Sequence, residues 1–331
     1  AWVSFNGISG QLGFVVTTVP AASGWELRSY RANNAPGWQF LRFRRTNLTS
    51  SRGAYGVDND LEHWEAISPD GVAYWFGYGN ISGAWNPGTG LQSSWTVPVR
   101  GNNSGEPCSN LSGDWCHQTW RWNLDRIETS TGQLTNYRYH RESNWYGFGG
   151  APYDSKQYVS GGRLARIDYG MVSNGGNGTT ATHHVQFYYW NRCQDLNSAC
   201  PSPTKTNGSL FPDIPNDQIC TGNPCYKYAP TFFDRKFLRG IAPKVRTSGS
   251  TMWPTRYYGL TFEWIDADGA GSDPARLWFR RVSHSGYNLK FGWGGEWLGD
   301  TIFGGASLNG VAQPFDTRVD HNVSAGVSRL A

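Results

Sequence analysis

The sequence is short of charge, of lysine, of methionine and of long apolar runs. Only 16% of its 331 residues are charged, and the formal net charge is +4. Those charges are spread evenly and form no basic run, which argues against a nucleic-acid partner. Six lysines stand against 23 arginines. No apolar stretch approaches the ~18 residues that a membrane-spanning helix needs. No stretch sustains the i, i+3, i+4, i+7 apolar pattern of a convincing helix. The GxSxG elbow, the HExxH pair and the phosphate-binding loop are all missing. The chain begins at Ala1 rather than Met and shows no signal peptide. The expectation is a mature secreted product or a piece of something longer.

What is present is aromatic and turn-forming. There are 17 Trp, 17 Tyr, 16 Phe, 42 Gly and 17 Pro. Aromatics favour strands, and Gly and Pro punctuate turns. The composition predicts a largely all-β protein, and the length allows one large β-domain or two smaller ones.

The stretch Trp120–Tyr139, WRWNLDRIETSTGQLTNYRY, carries the clearest pattern. Trp120, Trp122 and Leu124 alternate, as do Tyr137 and Tyr139, with Gly132 in a turn-rich segment between them. Two alternating runs around a Gly-containing turn read as a β-hairpin. Trp120, Trp122 and Leu124 are expected on one buried face, opposite Tyr137 or Tyr139. Leu124 and Ile127 lie three apart, which breaks period two and points to a bulge or to two partly buried faces. Looser copies occur at 64–76, at 164–169 with 185–190, and at 277–293. The shared form is an aliphatic or Trp strand, a Gly turn and an aromatic strand. Repetition admits a repeat architecture, although the spacing is irregular and every antiparallel β-protein contains hairpins.

Further strands are expected at 3–5, 12–18, 25–31, 38–45, 96–99, 232–246 and 255–265, with weak signals at 306–311. Residues 191–230 hold four cysteines and a cluster of prolines and read as a disulfide-tied irregular insertion. The six cysteines fall as Cys108 with Cys116, Cys193 with Cys200 and Cys220 with Cys225. They lack CxxC knuckles, so local disulfides in an oxidising compartment are the simpler reading. About 15 pairings are possible in principle, and spacing alone does not choose among them.

Candidate chemistry is sparse. Asp266, Asp268 and Asp273 space carboxylates around glycines, as a calcium loop does, but the later glutamate of an EF-hand is missing. A solvated turn is the preferred reading, and Asp58-Asn59-Asp60 has the same ambiguity with less support. His183 and His184 would point to opposite faces of a strand and so cannot share one metal ion. Paired acids for glycoside hydrolysis cannot be located in a sequence. Surplus Trp and Tyr suit sugar-stacking platforms as well as a wide sheet. Seven N-x-S/T sequons begin at Asn47, Asn80, Asn102, Asn110, Asn177, Asn207 and Asn322. In a glycosylating source they predict exposed loops.

Longer stretches resemble a known family. YWFGYGNISGAWNPGTGLQSSWTVPVRGNNSGEPC, DWCHQTWRWNLDRIETSTGQLTNYRYHRESNWYG, YVSGGRLARIDYG, PDIPNDQICTG, PTFFDRKFLRGI and FDTRVD resemble, in order, secreted RHS/YD-repeat proteins of actinomycete type. The resemblance covers roughly residues 60–320. It lies with the segment that precedes and merges with the tandem YD repeats. Teneurins and toxin-complex shells are more distant relatives through the same repeat. The resemblance implies a large antiparallel sheet of repeated hairpins, wound as a shell, with disulfide-tied loops. The long repeat array and the C-terminal toxin or protease region are missing, which implies a fragment, a processed piece or a reduced member.

The resulting expectation is a single β-domain over 1–331 that serves as a secreted, non-enzymatic structural scaffold without cofactor or metal. A carbohydrate-binding module and a glycan-active enzyme are the competing readings. Expected partners are the rest of a longer chain, or copies joined through sheet edges into a polymer, with glycans also possible.

Overall fold

Alternation and glycine turns produce strands over much of the described chain. The computed structural model describes residues 2–18, 24–46, 51–80, 90–174, 177–178, 180–196, 200–249, 251–265, 275–287, 295–303, 319–323 and 326–330. The fold is all-β and antiparallel. Two compact units are present: residues 1–181 with 220–232, and residues 182–219 with 233–331.

In the first unit, β1 (Trp2–Phe5), β2 (Ile8–Thr18), β3 (Trp25–Ala32), β4 (Gln39–Arg45), β5 (His63–Ile67) and β6 (Ala73–Phe76) pair in succession. Asn6 and Gly7 both have positive φ and close the β1–β2 hairpin between the paired Phe5 and Ile8. This is the two-residue turn that Asn-Gly favours. β7 (Ser94–Arg100) and β8 (Trp115–Trp122) then form a separate two-stranded sheet. β9 (Leu124–Glu128) returns to the first sheet beside β6, followed by β10 (Gln133–Gly147), β11 (Ser155–Asn174) and the short β12 (Asn177–Gly178).

The expected hairpin at 120–139 is therefore partly corrected. Its turn is present, with Gly132 at φ +80, and its arms are β9 and β10. Trp120 and Trp122 are not in that arm. They belong to β8, because the chain changes sheets at the buried Asn123. The Asn123 amide and backbone N–H both donate to the Ser93 carbonyl, and its own carbonyl accepts from Gly77 N–H. Tyr137 and Tyr139 face Ile167 and Leu164 of β11. The bulge is real: Asp125 is the extra residue between Leu124, opposite Phe76, and Arg126, opposite Trp75.

One core of this unit gathers Ile8, Leu12, Tyr30, Phe40 and Ala66, with Phe5, Trp64 and Phe76 against it. A second holds Val97, Tyr146, Phe148 and Tyr158, with Trp115 and Trp120 alongside. Each fully buried aromatic or aliphatic side chain stabilises the fold by about 1.5–3 kcal/mol.

The second unit contains β13 (His183–Asn191), β14 (Lys236–Ser248), β15 (Thr251–Pro254), β16 (Arg256–Ile265), β17 (Arg276–Tyr287), β18 (Gly295–Phe303), β19 (Val319–Val323) and β20 (Gly326–Leu330). β14 pairs with β13, β15 and β16, and β16 to β20 pair in succession. The aromatic strand expected at 289–293 and the weak signals at 306–311 lie outside the described residues. The stretch 191–230 is irregular, as expected, with short 3-10 turns at Gly208–Leu210 and Asn216–Gln218. Phe211, Ile214 and Ile219 pack there with Cys193 in a small core.

Candidate functional site

Strand period two places Phe40 and Arg42 of β4, and Trp64 and Ala66 of β5, on one face. Glu62, just ahead of β5, shares that face. These residues line a cavity of about 390 Å³, together with Phe5, Leu12, Tyr30, Phe76 and Trp122. Its walls are largely aromatic. The polar part is an ion pair between Arg42 and Glu62, whose side chains are 21% and 8% exposed, together with Ser4 and a second acid, Glu65. Trp122 reaches in from β8, donates its indole N–H to the Glu62 carbonyl at 3.1 Å and meets Trp64 edge-on.

Burial works against the charge of Arg42, but the Glu62 partner outweighs it and holds the guanidinium above its ordinary pKa. Burial pushes the Glu62 carboxyl up, and the hydrogen bond and charge of Arg42 only partly offset this. The wall thus carries one donor fork and one acceptor that nearly cancel in charge, with Glu65 as a further acid.

Other acids of this unit are also withdrawn from water. Asp58 is buried and accepts from Thr119 N–H at 2.5 Å and from Asp60 N–H at 3.1 Å. Burial raises its carboxyl well above the usual range, and the neighbouring Asp60 and Glu62 carboxyls add to the effect. Asp125, with no exposed surface, accepts from Gly79 N–H at 2.6 Å and from the Ser93 hydroxyl at 2.7 Å. Burial pushes it up to about 7. Glu65 is pushed up to about 7 by burial and by Glu128. His63 is lowered to about 4 by burial, against the Leu61 carbonyl contact that favours its charged form. Among the described residues no group of three or more His, Cys, Asp and Glu is placed to hold a metal ion.

The residues singled out in the sequence lie mostly elsewhere. Disulfides join Cys108 to Cys116, Cys193 to Cys200 and Cys220 to Cys225, each closing a local loop. Asp266, Asp268 and Asp273 lie outside the described residues, as does Asn47. Asn102 and Asn110 are exposed. Asn207 turns its amide into its own loop, donating to the Ser202 carbonyl and accepting from Thr204 N–H. Asn80 ends a 3-10 turn, and Asn177 and Asn322 fall in β12 and β19. His184 is buried and His183 half-buried, as opposite strand faces require. The exposed Tyr153 and Tyr226 meet edge to face at 77°, so they do not form one flat stacking platform.

The cavity is absent from the sequence reading. One signal was available in Arg42, which shares the parity of Trp38 and Phe40 in WQFLRFRR. A charge on an apolar face calls for a buried partner.

No family model matches the chain, and no curated protein matches it. Among solved structures the chain is similar to the crystal structure of TcdB2-TccC3, at 13% identity and a TM-score of 0.44. That likeness covers 89% of this chain and 13% of the other, so the chain spans about an eighth of that protein's length. It is also similar to the N-terminal domain of effector protein SpvB from Salmonella typhimurium strain LT2, at 10% identity and a TM-score of 0.41, over 87% of this chain and 78% of that one.

Proposed function

We propose that the chain is a secreted, non-enzymatic structural β-scaffold of the RHS/YD type, working as part of a longer winding or through contacts between copies. The observation that carries this reading is the use made of buried acids. Glu142 of β10 pairs with Arg163 of β11, and Asp168 of β11 with Arg138 of β10 at 2.6 Å. Glu26 of β3 pairs with Arg44 of β4 at 2.7 Å. Asp58 accepts from the backbone of β8 at Thr119, and Asp125 from Gly79 N–H and the Ser93 hydroxyl. Acids spent on ties between neighbouring strands and loops serve register and rigidity rather than proton transfer.

Three disulfides suit an oxidising, extracellular setting. Edge strands are templates for further pairing. Among the described residues β1 has only β2 as its strand neighbour. The partner at such an edge is more of the same polypeptide or a second copy, and head-to-tail pairing of copies gives a ring or an open filament.

The test has two arms. Purified chain is incubated with polysaccharide and peptide libraries, and its size is followed by light scattering and electron microscopy. The expected result is no turnover and association beyond a monomer. Turnover abolished by a single Asp or Glu substitution would overturn the scaffold reading.

A further inference from the structure

We infer that the aromatic cavity of the first unit binds a neutral, planar, apolar ligand carrying one group that both donates and accepts a hydrogen bond, the phenols being the simplest such class. Three observations carry this. The first is size. The cavity measures about 390 Å³, more than twice the ~150 Å³ of an apolar cavity that takes benzene. A fused two-ring molecule fits.

The second is the wall. Tyr30, Phe40, Trp64, Phe76 and Trp122 supply flat or edge-on aromatic surface. Such surface favours a planar apolar body by area burial and by ring–ring geometry. A sugar is a poor occupant, because most of its hydroxyls would lose water without finding a partner.

The third is the polar end. Arg42 and Glu62 sit on the wall as a pair whose charges offset each other, and burial holds the second acid on the wall, Glu65, towards its neutral form. An anion would lose its hydration there without an unshared cation, and a cation would find Glu65 no more than partly ionised at neutral pH. A hydroxyl matches both halves: its oxygen accepts from the guanidinium and its proton goes to the carboxylate.

The ligand class is tested by calorimetry at pH 7 with three probes of one shape: 2-naphthol, naphthalene and 2-naphthalenesulfonate. The expected result is saturable binding of 2-naphthol, at least about tenfold tighter than the sulfonate and tighter than naphthalene. Glu62→Gln should bring 2-naphthol towards the affinity of naphthalene and leave naphthalene unchanged. Ala66→Phe fills the cavity and should abolish binding of all three while the β-type circular dichroism persists. If Ala66→Phe does not fold, the Glu62→Gln comparison and the rise in Tm that 2-naphthol gives the unaltered protein decide the matter. Absence of saturable 2-naphthol binding would overturn the inference. Equal affinity for the sulfonate, or unchanged binding in a folded Ala66→Phe protein, would do the same.

Discussion

Asp125 accepts a hydrogen bond of 2.7 Å from the hydroxyl of Ser93, and both residues are closed to solvent. The same carboxyl oxygen accepts from Gly79 N–H at 2.6 Å. One side chain on the β9 bulge therefore holds two loops that are distant in sequence.

This placement sets a pH dependence. Burial pushes the Asp125 carboxyl up to about 7, whereas a free aspartate ionises near 3.9. The unfolded chain thus releases its proton first. Stability contributed at this site is complete below about pH 4 and falls as pH rises towards 7. Asp125→Asn removes the charge and keeps an acceptor, so its stability should fall less between pH 4 and 7 than that of the unaltered protein. Asp125→Ala leaves two buried donors without an acceptor and should cost about 1–3 kcal/mol at acid pH. Urea unfolding at pH 5 and pH 8 provides the comparison. An unchanged difference between the two pH values in Asp125→Asn would rule the explanation out.

His63 acts in the opposite direction. It is buried, its ring stacks on Phe43 at 5.0 Å and 5° between planes, and Trp25 meets it edge-on. Burial holds it neutral down to about pH 4, while an unfolded histidine takes up its proton near 6.5. Stability from this site is present above about 6.5 and is lost as pH falls to 4. His63→Phe keeps the stacked ring and gives up the contact with the Leu61 carbonyl. It should flatten this acid limb at a cost of about 0.5–1.5 kcal/mol at neutral pH. Thermal melts from pH 4 to pH 7 would show it. A variant as acid-sensitive as the parent would refute the assignment.

Much of the fold was legible because its signals are local. The β5–β6 and β9–β10 hairpins each enclose a positive-φ glycine, Gly71 and Gly132, and such turns are specified by short sequence. Cysteines five to eight residues apart can close a loop without knowing the fold. What was not legible depends on distant strands. The alternation of Trp120, Trp122 and Leu124 continues through Asn123, yet β8 and β9 belong to different sheets. Nothing in the period marks that exchange, because it depends on Ser93, about thirty residues upstream, accepting from Asn123. The cavity arises from the spacing of six strands and Trp122, and no local pattern encodes a space between them.

The buried pair Glu142–Arg163 joins β10 to β11, with side chains 6% and 10% exposed. Removing one member strands a charge away from water. Glu142→Ala should therefore cost about 3–5 kcal/mol. The double variant Glu142→Leu with Arg163→Met replaces both charges by apolar groups of similar length and should recover most of that loss. Chemical denaturation of both proteins checks this. A double variant no more stable than Glu142→Ala would show that the pair supplies something other than mutual charge compensation.

Gly162 tests how closely β10 and β11 approach. It lies within β11 opposite Arg141, in a strand where glycine has no conformational advantage. A Cβ at this position would stand 2.5 Å from the His140 carbonyl oxygen and 2.7 Å from the Trp95 ring. The first contact is with backbone, so it cannot be relieved by turning a side chain. Trp95 is 4% exposed and packs against Trp120 and Tyr139, so it has little room to retreat. Gly162→Ala must instead push the two long strands apart at their middle, in the short regular stretch between two register shifts, at Arg138/Tyr139 and Glu142/Ser143. Overpacking of this kind typically costs about 1–3 kcal/mol, and the backbone contact places this case at the upper end. Gly150→Ala is the control in the same unit, because a Cβ there meets nothing within 4 Å and only its φ of +79 is strained. Urea unfolding should show Gly162→Ala the more destabilised of the two, with faster amide exchange along β10 near His140. If Gly162→Ala loses no more stability than Gly150→Ala, the close approach of the two strands is not what selects glycine at this position.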